Sequence, residues 1–191
     1  TSQAGLGASY PAIKINFDSN MLASGFSSDA FFTFLTNNIS EVCSNQAESA
    51  IAVATSYDEA TGVISVASKI KCDNPGSYKV TVALVQDNVF FRQQGTSDVN
   101  YWVHEAGVKD VAPSTGAGYA LNNGETTEVG DVYDFCCEFN KSALYVKGTG
   151  DYALDVLRDA RVIVYVQANG KIADNVVSCG LNEKVGFSYN D

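Results

Sequence analysis

Hydrophobic and polar positions follow two different rhythms along this chain, and the change falls near residue 45. Before it, Phe31, Phe32, Leu35, Ile39 and Val42 recur at helical spacing behind Ser28 and Asp29. That spacing predicts one helix over 29–43, with Ser28 as its cap and Asp29 favouring its positive end. "YPAIKINF", 10–17, is a short apolar run ahead of it. After residue 48 the period becomes two: Ile51, Val53 and Thr55 share one face, and beyond "DEATG", 58–62, Ile64, Val66, Ser68 and Ile70 share another. That is a hairpin. "DNPG", 73–76, leads into a third strand with Tyr78, Val80, Val82 and Leu84 on one side, so three antiparallel strands are expected in succession.

Further strand-like runs are "VNYWVHEAGV", "TTEVGDVYDFCCEFN", "SALYVKG", "ARVIVYVQA" and "NVVSCGL", punctuated by "NNG" at 122–124, "GTGD" at 148–151 and "ANG" at 168–170. "RVIVYVQ" is apolar on both faces, the signature of a central strand or of one that meets a neighbouring domain. "GDYALDVLRDA" has room for a single helical turn, and 109–125, with Pro113 and several glycines, is expected to be a long loop between sheets. Many strands joined by short turns predict a mainly β fold: an antiparallel β-sandwich of immunoglobulin-like or jelly-roll-like type over 46–191, behind a short α/β segment, 1–45.

A chain of 191 residues buries roughly 70% of its unfolded surface and needs no covalent staples. Twelve basic residues stand against 22 acidic ones, and a net charge of −10 repels phosphate backbones and anionic lipid heads, which argues against nucleic acid as a partner. Residues 1–9 carry neither the basic start nor the apolar middle of a signal peptide, so any export signal or lipid anchor is expected upstream of Thr1. The five cysteines, Cys43, Cys72, Cys136, Cys137 and Cys179, are odd in number and widely spaced, so at least one stays unpaired within the chain. A Cys72–Cys137 bridge would contribute on the order of 4 kcal/mol, but a core of this size does not require it.

The lone tryptophan, Trp102, stands two residues before the lone histidine, His104. On one strand the two project to the same face. General-base catalysis needs an orienting carboxylate and a nucleophile beside the imidazole, and no G-x-S-x-G motif is present, so His104 reads as a hydrogen-bonded residue of the sandwich. In "YDFCCEFN", alternation turns Tyr133, Phe135, Cys137 and Phe139 inward and Asp134, Cys136 and Glu138 outward. The adjacent thiols therefore do not converge on one ion, no C-x-x-C exists, and no metal or other cofactor is expected. Asp151, Asp155 and Asp159 lack the dense spacing of a calcium loop and read as solvated acidic surface. A pair of acids for glycoside hydrolysis would meet only in three dimensions, and nothing in the sequence selects one.

"GSYKVTVALVQDNVFFRQQG", "YWVHEAGVKD" and "ARVIVYVQANGKIADNVVSCGL" together resemble the C-terminal part of the outer membrane protein 28 family of the Bacteroidetes, over about 48–182. Tyr78, Leu84, Asp87, Gln94, Gly95, Tyr101, His104 and Val166 stand where that family's features are expected, while Gln86, Glu105 and Lys109 depart from it. The resemblance implies a thioredoxin-like region ahead of the sandwich, with "SYPAIKINF" as its late strand, Pro11 as its cis proline and 29–43 as its last helix. It also implies an extracytoplasmic lipoprotein at the outer membrane or cell surface, attached only through an N-terminal anchor absent from this chain.

The leading expectation is a non-enzymatic surface or periplasmic module that binds a protein, peptide or glycan or serves a structural role. Its contact surface is expected around 90–125, where Phe90, Phe91, Tyr101, Trp102, His104 and Tyr119 place aromatic area beside polar groups. The alternatives are a redox accessory whose thioredoxin-like active site lies upstream and a two-carboxylate glycoside hydrolase.

Overall fold

Inward rows of alternate residues on the long strands build two apolar sheet faces that must cover each other. The computed structural model describes residues 12–14, 22–24, 29–90, 97–144, 156–169 and 172–188. Strands β1 (Ala12–Lys14) and β2 (Leu22–Ser24) pair with each other ahead of helix α1 (Asp29–Ser44). Then follow β3 (Ser49–Asp58), β4 (Val63–Cys72), β5 (Tyr78–Gln86), β6 (Val89–Phe90), β7 (Val103–His104), β8 (Gly107–Ala112) and β9 (Tyr119–Ala120). After these come β10 (Val132–Asn140), the single helical turn α2 (Val156–Asp159), β11 (Ala160–Ala168), β12 (Ile172–Gly180) and β13 (Lys184–Ser188).

The protein is an antiparallel β-sandwich. One sheet runs β10-β4-β3-β13 and the other β12-β11-β5-β8, with β9 also on β5, while β6 and β7 form a separate two-stranded arm. Ile51 and Val53 of β3 and Ile64, Val66 and Ile70 of β4 face inward. They meet Val80, Val82 and Leu84 of β5 and Val162, Val164 and Val166 of β11 in one cluster. The inward rows predicted for β3, β4 and β5 are the ones observed, while β5 is also buried on its other face at Thr81, Ala83 and Val85. In β10, Tyr133, Phe135 and Cys137 are half-buried against that cluster and Phe139 is buried within it, with Asp134, Cys136 and Glu138 exposed.

Four expectations need correction. The "DNPG" segment is a corner between sheets, not a hairpin: β4 pairs β3 and β10, while β5 pairs β11, β8 and β9. A corner lets the inward rows of β4 and β5 face each other across the core, and the Tyr78 hydroxyl donates to the Asn74 carbonyl at 3.0 Å to hold it. The expected long loop 109–125 is largely structured, because β8 and β9 both pair β5 and leave only 113–118 between them. That segment lies close on β5: Gly118 has φ +77, and a Cβ there would stand 2.9 Å from the Lys79 Cβ. The helical stripe of α1 splits, with Phe31 buried and Leu35 and Val42 half-buried, while Phe32 and Ile39, about 90° round the axis, are exposed. Asp159 is buried and charge-paired, not part of a solvated surface.

The edge strand β13 was not expected, since "EKVGFS" is short and its exposed lysine and glycine mask the alternation. Of the strand expected in "SALYVKG", 142–148, Ser142 and Ala143 lie instead in a 3-10 turn, Lys141–Ala143, capped by Asn140, and 145–148 fall outside the described residues, as do Ser28, Pro11, Asp151 and Asp155.

Leu84 is fully buried between the sheets. Leu84→Ala should lower the free energy of unfolding by about 2–5 kcal/mol in denaturant titration, whereas Val108→Ala on the exposed row of β8 should change it by no more than about 0.5 kcal/mol.

Candidate functional site

At the end of β5 the chain leaves the sandwich through Asp87 and Asn88, and the left-handed backbone of Asn88, φ 54, turns it into β6. The β6–β7 arm pairs Val89 with His104 and Phe90 with Val103. Between them, Asp98 caps a 3-10 turn over Val99–Trp102 by accepting from the Asn100 N–H at 3.0 Å. This cap explains why 99–108 is not one strand. The aspartate diverts the backbone into a turn, and Ala106, φ 53, breaks the run again before β8. Trp102 and His104 therefore do not share a strand face. Trp102 instead stacks on Phe90, with centroids 5.7 Å apart and planes tilted by 58°.

A polar clamp fixes the root of the arm. Arg161 on β11 grips Asp87 with two parallel bonds, Nε to Oδ2 at 2.9 Å and Nη2 to Oδ1 at 3.2 Å, and its Nη1 reaches Ser178 Oγ at 3.2 Å. Asp87 Oδ1 also accepts from the Ala106 N–H at 2.7 Å, and Glu105 Oε2 accepts from the Asn88 N–H at 3.2 Å. Beneath them Asp159, 1% exposed, accepts from Asn88 Nδ2 at 2.7 Å and from Arg158 Nε and Nη2 at 2.8 and 3.1 Å. Its own carbonyl accepts from the Asp87 N–H at 2.7 Å. Both carboxylates are thus committed to guanidinium groups, an arrangement that holds backbone in place and leaves neither as a general acid.

The Arg161 bond, followed by the Ala106 N–H, holds the Asp87 carboxyl below the usual carboxylate range, and Asp87 in turn raises Arg161. Because the folded value lies below the unfolded one, the pair stabilises the fold above the unfolded carboxylate range, and that contribution is lost as pH falls through the folded value.

The sequence-predicted residues are not brought to one place. Trp102 and His104 lie on the arm, both half-buried. Tyr101 lies in the 3-10 turn, and Phe91 falls outside the described residues. Tyr119 is on β9 opposite Val80, 48% exposed, with its ring 5.3 Å from that of Phe135 on the other sheet. Val80 is six positions along β5 from Gln86 at the arm's root, about 20 Å along the strand. Sequence reasoning missed the clamp. Asp87 lies far along the chain from Asp159 and Arg161, and no local spacing signals their meeting.

Elsewhere among the described residues lie two further concavities. One, about 470 Å³, sits between the end of α1 and β12, where Glu48, Asn169, Asp174 and Asn175 line it. The Asp174 carboxylate is occupied by the Glu48 N–H and the Ser49 hydroxyl. The other, about 490 Å³, is a shallow depression on the outer face of the first sheet beside Cys136 and Glu138. Among the described residues no three ligating side chains gather to hold a metal ion, and no helix is long and apolar enough to cross a membrane.

All five cysteines are thiols. Desolvation pushes Cys137 up to about 12 and raises Cys72 and Cys179, so these three are held as unreactive thiols rather than thiolates.

No protein-family model and no curated protein matches the chain. Among solved structures it is similar to HBP35 of Porphyromonas gingivalis, with a TM-score of 0.56 and 14% identity, over 79% of this chain and 46% of that one. The two share a fold. The chain spans less than half the length of that protein. A GH3 beta-glucosidase of Bifidobacterium adolescentis overlaps at a TM-score of 0.29 and 13% identity, over 71% of this chain and 17% of that one, a likeness too low to carry any argument.

Asp87→Asn should lower the melting temperature at neutral pH, and its difference from the unsubstituted protein should vanish as pH is lowered through and below about 3.9. Thermal melts of both proteins across that range measure it. Alkylation at neutral pH should modify exposed Cys43 and Cys136 rapidly and the other three only after denaturation, as mass spectrometry of the intact protein would show.

Proposed function

We propose that this protein is a non-enzymatic, extracytoplasmic binding module of an outer-membrane-associated lipoprotein, with the β6–β7 arm as its contact surface for a protein, peptide or glycan. The observation that supports it is the Phe90–Trp102 pair. These two large rings stand outside the core cluster, on a two-stranded arm whose root is locked by two aspartate–arginine pairs. A half-buried ring pair outside the core, on an arm whose first turn is bonded to a buried carboxylate, suits recognition, because a pre-ordered aromatic surface loses little conformational entropy on binding. The resemblance to the outer membrane protein 28 family and the fold shared with HBP35 of Porphyromonas gingivalis support an extracytoplasmic setting.

Trp102 is the only tryptophan and so reports on its own surroundings. Binding on arrays of surface glycans and peptides, followed by fluorescence titration of each hit, tests the reading. Trp102→Ala should weaken a hit roughly tenfold or more while moving the melting temperature by less than about 4 °C. A large drop in melting temperature with binding intact would return Trp102 to a purely structural role.

A further inference from the structure

Of the four edges of the sandwich, one lacks protection among the described residues. Strand β8 is short and its ladder slips between Leu84 and Val85; β13 is short and slips between Val185 and Ser188; β12 carries a bulge opposite Val166 and Gln167 and lies against β3. Strand β10 has none of these devices. It pairs β4 in unbroken register from Val132 opposite Lys71 to Asn140 opposite Val63, and its other side pairs no strand among the described residues. It contains neither proline nor lysine, the residues that commonly blunt an exposed edge.

The side chains of β10 define what would complement it. On the inner row Tyr133, Phe135 and Cys137 are only half-buried, whereas inward residues of the neighbouring β4 are all buried. A strand laid beside β10 would cover them with apolar side chains at alternate positions. On the outer row the charged residues are both acidic: Asp134 is bonded to Lys69 at 2.6 Å, and Glu138 has no ion pair among the described residues. The depression of about 490 Å³ opens beside that row, floored by the small side chains of Ala54, Ser56, Ser65 and Ala67 and rimmed by Cys136 and Glu138. It has the shape to take the apolar stem of a lysine or arginine with the charge at Glu138.

We propose that β10 is a receiving edge for an extended peptide segment of a partner protein that alternates apolar and basic residues and adds to the sheet as a further strand. Main-chain hydrogen bonds would supply affinity and the two rows would supply selectivity. A net charge of −10 favours encounter with such a cationic segment. A second copy of this chain paired about Cys136 would set Asp134 against Glu138 twice, so the edge is better matched to a basic partner than to itself.

The proposal stands on a surface separate from the aromatic arm and is tested separately from it. The probe is a fluorescein-labelled octapeptide of alternating lysine and valine, with a glutamate–valine octapeptide for comparison, measured by anisotropy. The lysine–valine peptide should bind, the glutamate–valine peptide roughly tenfold or more weakly, and Glu138→Lys should narrow or invert that preference. Two N-methylated versions, one blocked at the lysine amides and one at the valine amides, test for strand addition: one should lose binding and the other keep it, because a strand presents only alternate amides to its neighbour. Trp102→Ala should leave all of these affinities unchanged. Equal binding of both methylated peptides would reduce the interaction to diffuse charge attraction and overturn the proposal. So would failure of the lysine–valine peptide to bind, or a concentration-dependent dimer in sedimentation that Glu138→Lys alters without any peptide binding.

Discussion

The closure of two apolar sheet faces on each other governs everything else in this molecule. Ile51, Ile64, Ile70, Val82, Leu84, Val162 and Val164 are all within a few per cent of complete burial, and they come from four strands in two sheets. Their burial depends on chain corners at 73–77 and 181–183, since β4 and β5, and likewise β12 and β13, are consecutive in sequence but belong to opposite sheets. Each corner carries the chain to the opposite sheet with a row of side chains still pointing inward, whereas a hairpin in its place, like the one joining β3 and β4, would have kept both strands in one sheet and left the facing sheet short of a strand.

With the faces closed, polar groups at the rim have to be satisfied locally, and the clamp of Asp87, Asp159, Arg158 and Arg161 does this. Asp159 is nearly without solvent contact, and a buried carboxylate is tolerable only when paired and hydrogen-bonded. Its partners come from the arm's first turn and from its own neighbour, so its charge orders the backbone where β5, β6 and β8 meet. The arm is tied to the sandwich at that root. It carries Phe90 and Trp102, both half-buried, outside the core cluster.

The opposite side of the sandwich is built differently. There β10 closes the first sheet with half-covered aromatic side chains, bridged to the second sheet by the Tyr119–Phe135 contact. The unreactive Cys137 sits in that row and exposed Cys136 points away from it, so adjacent thiols occupy different chemical environments because alternation separates them. Among the described residues the sandwich thus carries a polar, hydrogen-bonded root at the arm and, at β10, an edge that pairs a strand on one side.

Much of this was legible in the residues themselves. Period-two alternation in 49–57, 63–72, 77–87 and 132–140, the run apolar on both faces in 160–168 and the helical period in 29–43 are local properties of the chain, set by where successive Cβ atoms point, and they mark out the long elements and, where the period is two, their inward rows. Short edges such as β8 and β13 were not legible, because an exposed edge strand needs no apolar pattern and is defined by the neighbour it bonds. Nor was the fate of Trp102 and His104, since Asp98 and the positive φ of Ala106 outweighed their spacing. Which sheet each strand joins, and which distant charges meet, depended on tertiary structure alone: Asp87 and Arg161 are 74 residues apart, and only the pairing of β5 with β11 brings a carboxylate within reach of a guanidinium.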